Sequence, residues 1–269
     1  MPRATLTAAT YKRNDSSLVI ATSANRDYAA LTRNMFRSMR KVGLGRLLVF
    51  CEDPGCRDAF KAERGIRVID TGRSCRSGRF NSPAFNRLTS ARPLYIRSLL
   101  ALGLTVLWSD GDVAWLRNPL DYLGAGGHDV SIQDGTAGAE FKHACTGFSM
   151  LRPTAFSKHL VQQWGDLMRQ NETRQDQFVF NDLIGASSKY PELLVRANST
   201  ANLNSSLCLE AYGQCTSKRV RVLDRRLFPT GCTYPQRDAG KYMIAHASCR
   251  HGIDHKIETL KGWDLWFED

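Results

Sequence analysis

Two hydrophobic patterns alternate along the first third of the chain. LVIAT (18–22), RLLVFC (46–51) and IRVID (66–70) are short apolar runs without helical period, which predicts buried strands. Between the first two, Tyr28, Leu31, Met35, Met39 and Val42 fall on one helical face and Gly43 stops that helix. A second helix is expected from about Pro54 to Arg64. This βαβαβ alternation predicts a parallel, doubly wound sheet. A loop rich in Arg, Ser and Gly (71–83) follows, then a helical stretch through residue 102 interrupted at Pro93. Further strands are expected at DVSIQ (129–133), GFSML (147–151), VRVLD (220–224) and YMIAH (242–246). Between them, Phe156, Leu160, Val161, Trp164, Leu167 and Met168 define an amphipathic helix. Past residue 186 the pattern weakens, and a last helix is expected to start near Asp254. With no internal repeat or linker, one domain over 18–267 is expected, preceded by a flexible N-terminal segment, 1–17.

The sharpest break in the pattern is LTVLWSDGDVAWLRNPL (104–120). An apolar run empties into Ser109-Asp110-Gly111-Asp112 and then resumes. Carboxylates that interrupt so apolar a stretch must be paired, solvated or liganded. At the carboxyl end of a parallel strand, where open α/β sheets bind ligands, Asp110 and Asp112 can converge across Gly111 on one hard divalent cation. Mg²⁺ and Mn²⁺ are commonly held by one or two carboxylates plus substrate phosphates.

Composition changes this picture little: 269 residues, 42% hydrophobic and 23% charged, is ordinary for a globular domain. No apolar segment approaches the roughly 20 residues that span a bilayer, and the start lacks the apolar core of a signal peptide. The net charge of +11 is clustered. Arg73, Arg76, Arg79, Arg87, Arg92 and Arg97 lie in a stretch free of acids, and Lys218, Arg219, Arg221, Arg225 and Arg226 form a second group. Such fields attract polyanions and nucleotide phosphates, but no nucleic-acid-binding motif accompanies them, so nucleic acid is not an expected partner. Eight cysteines without a CxxC pair argue against zinc and for a disulfide, Cys208 with Cys215 or Cys232. Sequons at Asn14, Asn171, Asn198 and Asn204 also lean toward the secretory pathway.

Several segments, in order, resemble one known family: WSDGDVAWLRNPL, CTGFSMLRPT (145–154), QDQFVFN (175–181), LDRRLFPTG (223–231) and AHASCRHGIDHKIETLKGWDLW (245–266). They are similar to the nucleotide-diphospho-sugar transferases that include plant and protist arabinosyl-, xylosyl- and galactosyltransferases. The resemblance implies a GT-A fold, with a mixed, mostly parallel sheet flanked by helices. It also implies Mn²⁺ or Mg²⁺, a nucleoside-diphosphate sugar donor, UDP-linked by expectation, and transfer with retention to a glycan or glycoprotein hydroxyl. Asp110 and Asp112 match the family's D-x-D carboxylates, and His246 matches its late metal-binding histidine, with His251 and His255 as nearby competitors. Gly252 and Lys256 correspond to the final phosphate-contacting loop, and Arg92 to a basic donor-binding position. Thr22, Ser23, Ala24 and Asn25 fall where the family holds base and ribose, and Asp176 and Gln177 where it places residues beside the reacting sugar. Family members carry Asn where this chain has Cys145, which implies a different donor sugar or reduced activity. The cysteines and sequons together lead to the expectation of a Golgi-lumenal or secretory-pathway domain with a membrane anchor missing from this chain. The alternatives are a catalytically silent nucleotide- or sugar-binding module and, more remotely, a basic nucleic-acid-binding protein.

Overall fold

The computed structural model describes residues 9–13, 16–135, 143–184, 195–196, 219–234 and 236–268. The predicted alternation is present: β1 (Thr10–Arg13), β2 (Ser16–Ala24), α1 (Ala29–Lys41), β3 (Leu47–Cys51), α2 (Pro54–Phe60) and β4 (Ile66–Asp70). Then come α3 (Pro83–Thr89), α4 (Arg92–Ala101), β5 (Thr105–Ser109), β6 (Val113–Trp115), α5 (Leu120–Gly124), β7 (Val130–Asp134) and β8 (Ala144–Leu151). The remainder comprises α6 (Ala155–Gln170), α7 (Asp176–Leu183), β9 (Val195–Arg196), β10 (Val220–Leu223), β11 (Ile244–His246) and α8 (Ile253–Gly262).

The main sheet runs β4-β3-β2-β5-β8-β7-β10-β9, with β1 on β2. It is parallel except where β8 runs against β5 and β7, and β1 against β2. Its central strands are apolar on both faces because both faces are covered. Val19, Ala21, Leu48 and Phe50 pack with Ile96 and Leu99 of α4 and with Leu160, Trp164 and Met168 of α6. Their alternates Leu18, Ile20, Leu47 and Val49 pack with Met35, Phe36 and Met39 of α1. Each such side chain contributes about 1.5–3 kcal/mol by leaving water.

Several boundaries differ from expectation. The chain joins the sheet at Thr10, ahead of residue 18. Helix α2 ends at Phe60, a turn earlier than predicted, because residues 61–65 turn back toward β4 through Gly65 at φ 96°. The helical stretch is broken at residues 90–91, just ahead of Pro93, which sits in the first turn of α4, where its missing N–H costs nothing. The expected Cys208–Cys232 pairing is corrected: Cys232 is joined to Cys249, because the turn after Thr230 lies against the segment leaving β11. Cys51–Cys56 forms a second disulfide. Cys208, Cys215, Asn14, Asn198 and Asn204 lie outside the described residues. Among the described residues, no helix is long and apolar enough to cross a membrane.

A small second sheet does the positioning. Strand β6 resumes immediately after Asp112 and pairs antiparallel with β11, setting His246 opposite Val113. The Ala247 N–H donates to the Asp112 carbonyl at 3.0 Å, so a late strand end is tied to the D-x-D turn. On the other side β8 runs beside β5, and the Asp110 N–H donates to the Gly147 carbonyl at 2.7 Å.

Candidate active site

The D-x-D turn is held by close packing. A Cβ on Gly111 would lie 2.7 Å from Thr32 Oγ1 of α1, and one on Gly147 would lie 2.5 Å from His246 Cε1 and 2.6 Å from Asp110 Oδ2. Only glycine lets both backbones approach so closely. Ligand atoms from Asp110, Asp112 and His246 then all lie within 4.8 Å of one another. His251 and His255 are not in this group; His251 stands at the cavity rim.

Asp112 is 4% exposed and has two cationic partners, His246 Nε2 at 3.3 Å and the Lys256 ammonium from the first turn of α8. Burial alone raises the Asp112 pKa, but Lys256 and His246 outweigh it and hold the carboxyl far below the usual range. Burial lowers the His246 pKa, yet Asp112 prevails and lifts it to about 10. The other imidazole nitrogen is fixed: Nδ1–H donates to Gln133 Oε1 at 2.7 Å. That amide cannot turn, since its Nε2 donates to the Phe228 and Pro229 carbonyls at 3.1 Å each. Nε2 of His246 is therefore the nitrogen facing the carboxylates.

Asp110 is held differently. Arg92, 6% exposed at the start of α4, donates to its Oδ1 and Oδ2 at 2.9 and 3.2 Å, and Trp108 Nε1–H adds 3.1 Å to Oδ1. The same guanidinium reaches Thr146 Oγ1 at 2.6 Å and Asp176 Oδ2 at 3.1 Å. Asp176, 1% exposed, has its pKa raised by burial despite Arg92. The neighbouring Gln177 accepts the Thr146 N–H through Oε1 at 3.2 Å. Cys145 is buried with Sγ 3.8 Å from His246 Nδ1.

These groups floor a cavity of about 460 Å³ whose lining includes Arg92, Asp110, Asp176, Gln177, His246, Gly252 and Lys256. Thr22, Ser23, Ala24 and Asn25 are not among its lining residues. Thr22, Ala24 and Asn25 are buried, and Asn25 serves the backbone, donating to the Cys75 carbonyl at 3.1 Å and accepting the Tyr28 N–H at 3.2 Å. Tyr28 is what reaches the cavity from that end. Burial pushes its phenol up to about 12, so it stays neutral there. Tyr28, Gln133 and Thr146 escaped sequence reasoning as site residues; Tyr28 was read as part of the apolar face of the first helix, whereas it closes the short helical turn 26–28 that leads into α1. The donor set fits a divalent cation: two carboxylates and an imidazole with an anchored second nitrogen, opening on a cavity.

A parallel sheet with a D-x-D turn at a strand end and an imidazole closing it is the GT-A glycosyltransferase arrangement. The chain belongs to the nucleotide-diphospho-sugar transferase family, whose profile matches residues 42–260. It is 27% identical to UDP-D-xylose:L-fucose α-1,3-D-xylosyltransferase 1 of Arabidopsis thaliana over 71% of this chain and 53% of that protein. It is 22% identical to UDP-galactose:fucoside α-3-galactosyltransferase of Dictyostelium discoideum over 95% of this chain and 43% of that one. The chain thus spans about half the length of the curated relatives it matches. Its fold matches that of galactosyltransferase LgtC, solved with donor and acceptor sugar analogs, at a TM-score of 0.55 and 15% identity, covering 91% of this chain and 94% of the other.

Proposed function

We propose that the chain is the catalytic domain of a metal-dependent, retaining glycosyltransferase that moves a sugar from a UDP-sugar to a glycan hydroxyl. The observation that carries this reading is the convergence of Asp110, Asp112 and His246 within 4.8 Å, with Asp110 and His246 lining the cavity. A divalent cation held there, Mn²⁺ by the mix of carboxylate and imidazole, would supply Lewis-acid neutralisation of the departing diphosphate. Lys256 and Arg92 add fixed positive charge where negative charge develops on that leaving group. Gln177 and Asp176 stand on the sugar side of the floor. Asp176 is bound to Arg92 at 3.1 Å, which blunts it as a nucleophile and favours attack from the face of the leaving diphosphate. Gln177, anchored on the Thr146 N–H, orients the sugar. Thr22 to Asn25 support the base and ribose end through Tyr28, and Gly252 brings the backbone ahead of α8 up to the phosphates.

The names of both relatives carry a fucosyl acceptor, and a fucose-type acceptor is proposed here as well. The two disulfides among the described residues support an oxidising, secretory setting such as the Golgi lumen. One observation favours a second reading, a silent binding module: the thiol of Cys145 stands where family members offer a sugar-binding amide. Calorimetry with UDP and Mn²⁺ beside a turnover assay separates the two, because binding without turnover selects the module. The main test is Asp112→Ala assayed for hydrolysis of several UDP-sugars. Loss of about 10²- to 10³-fold is expected from removing charge stabilisation of this kind. Undiminished turnover, or full activity in excess chelator, defeats the metal role.

A further inference from the structure

Among the described residues three large hydrophobic side chains are exposed: Phe80 (39%), Leu102 (55%) and Phe178 (45%). Leu102 stands alone, as single surface hydrophobics commonly do. Phe80 and Phe178 meet. Their rings stand nearly perpendicular, at 88°, with centroids 6.5 Å apart, and Phe80 also packs on Phe85 at 5.4 Å and on His251 at 5.3 Å. Loop 71–82, α3, α7 and the segment before α8 each supply one of these rings, and all four rings line the cavity whose floor is Arg92, Asp110, Asp176 and Gln177. Phe178 directly follows Gln177 on α7, while its neighbours Val179 and Phe180 enter the core. One helix therefore presents an amide to the floor and a phenyl ring to the mouth. No part of the nucleotide reading uses this wall.

We propose that Phe80, Phe85 and Phe178 form the acceptor subsite, a phenyl wall that holds the apolar face and C6 methyl of a 6-deoxy, galacto-configured sugar above the donor floor. The proposal rests on the transferase reading and adds to it the residues that choose the acceptor. A galacto-configured pyranose presents its C3, C4 and C5 hydrogens on one side, and polarised C–H bonds suit the negative face of an aromatic ring. A C6 methyl extends that patch. A C6 hydroxyl would be pressed against phenyl rings that offer neither donor nor acceptor, and would lose its water without replacement. Beyond His251 the cavity meets a groove of about 710 Å³ lined by Arg79, Arg250 and His255, which gives the rest of a glycan a path out.

The test compares methyl α-L-fucoside with methyl α-L-galactoside, which differ by one hydroxyl, as acceptors for wild type, Phe178→Ala, Phe80→Ala and Phe178→Leu. UDP binding with Mn²⁺ is measured by calorimetry, donor hydrolysis without acceptor, and contact with the fucoside by saturation-transfer NMR in the presence of UDP. Wild type should favour the fucoside about 10- to 100-fold, the range over which an apolar pocket rejects an added hydroxyl. Phe178→Ala should raise the acceptor KM, bring the two acceptors close to parity and lose saturation at the C6 methyl, leaving UDP binding and donor hydrolysis unchanged. Phe178→Leu, which stays apolar and offers no hydrogen-bonding group, should keep most of the preference. Equal use of both acceptors by wild type, or an unaltered preference in both alanine variants while UDP still binds, overturns the phenyl wall alone. A wild type that binds no UDP overturns the transferase reading and the wall with it.

Discussion

The floor and the mouth of the cavity are built on opposite principles. On the floor every carboxylate has a cation against it: Arg92 bridges Asp110 and Asp176, while Lys256 and His246 share Asp112. At the mouth, exposed phenyl rings meet one another edge to face. The floor is thus electrostatically balanced before any metal arrives, with Lys256 and the imidazolium doing for Asp112 what the proposed cation does later. Such a network is positioned in advance but intolerant, because removing one member strands the others in a dry environment. The mouth carries no such coupling and can change its preference without disturbing the fold.

Arg92→Ala tests the floor hardest. It leaves Asp176 buried and both Asp176 and Asp110 without their cation, with an expected cost of about 3–5 kcal/mol, the usual price of breaking a buried ion pair from one side. The pH dependence has a definite sign. Asp176 already has a folded pKa above its unfolded value near 4, so the native state holds its proton longer and stability falls as pH rises through that raised pKa. Without Arg92 the raise grows. Denaturant unfolding should therefore show a smaller loss at pH 5 than at pH 8, and a pH-independent loss removes Asp176 from the network.

How far this network could be foreseen differed by residue. Asp110 and Asp112 were legible because acids cannot interrupt an apolar run without a reason. His246 and Lys256 were found through resemblance alone; nothing in their local spacing links them to the D-x-D turn, and pairing of β11 with β6 supplies the link. Gln133 was invisible, since a glutamine ending a predicted strand gives no sign that it is buried and anchors an imidazole. The parallel half of the sheet was readable from period-free apolar runs. The Cys232–Cys249 bond was not, because cysteine spacing carries no information about which loops meet.

A smaller effect separates positioning from ligation. Gln133→Leu keeps the shape of the site but leaves His246 Nδ1 without its acceptor, and Mn²⁺ affinity should fall about 10- to 100-fold, as for other second-layer partners of metal-binding histidines. Calorimetry gives a further readout. With its pKa lifted to about 10 by Asp112, His246 is protonated at pH 7 and must release that proton before Nε2 can ligate. Titrations in buffers of different ionisation heat should report about one proton released per Mn²⁺ bound. Binding without proton release would mean that His246 stays out of the coordination.

The smallest expected effect is the control for the mouth. Leu102→Ser removes an exposed apolar side chain at the C-terminal end of α4 that does not line the cavity. Its stability change should lie within about 0.5 kcal/mol, with no change in either acceptor's kinetics. Phe178→Ala, also at an exposed position, should be comparably mild in thermal unfolding yet distinct in acceptor preference. If both substitutions move stability and kinetics alike, the mouth is ordinary surface and its contrast with the floor is only one of burial. If the two differ only in acceptor preference, the rings at the mouth are maintained for a ligand, since folding alone gives no reason to keep phenyl groups in water where two residues further on the same ring type is fully packed at Phe180.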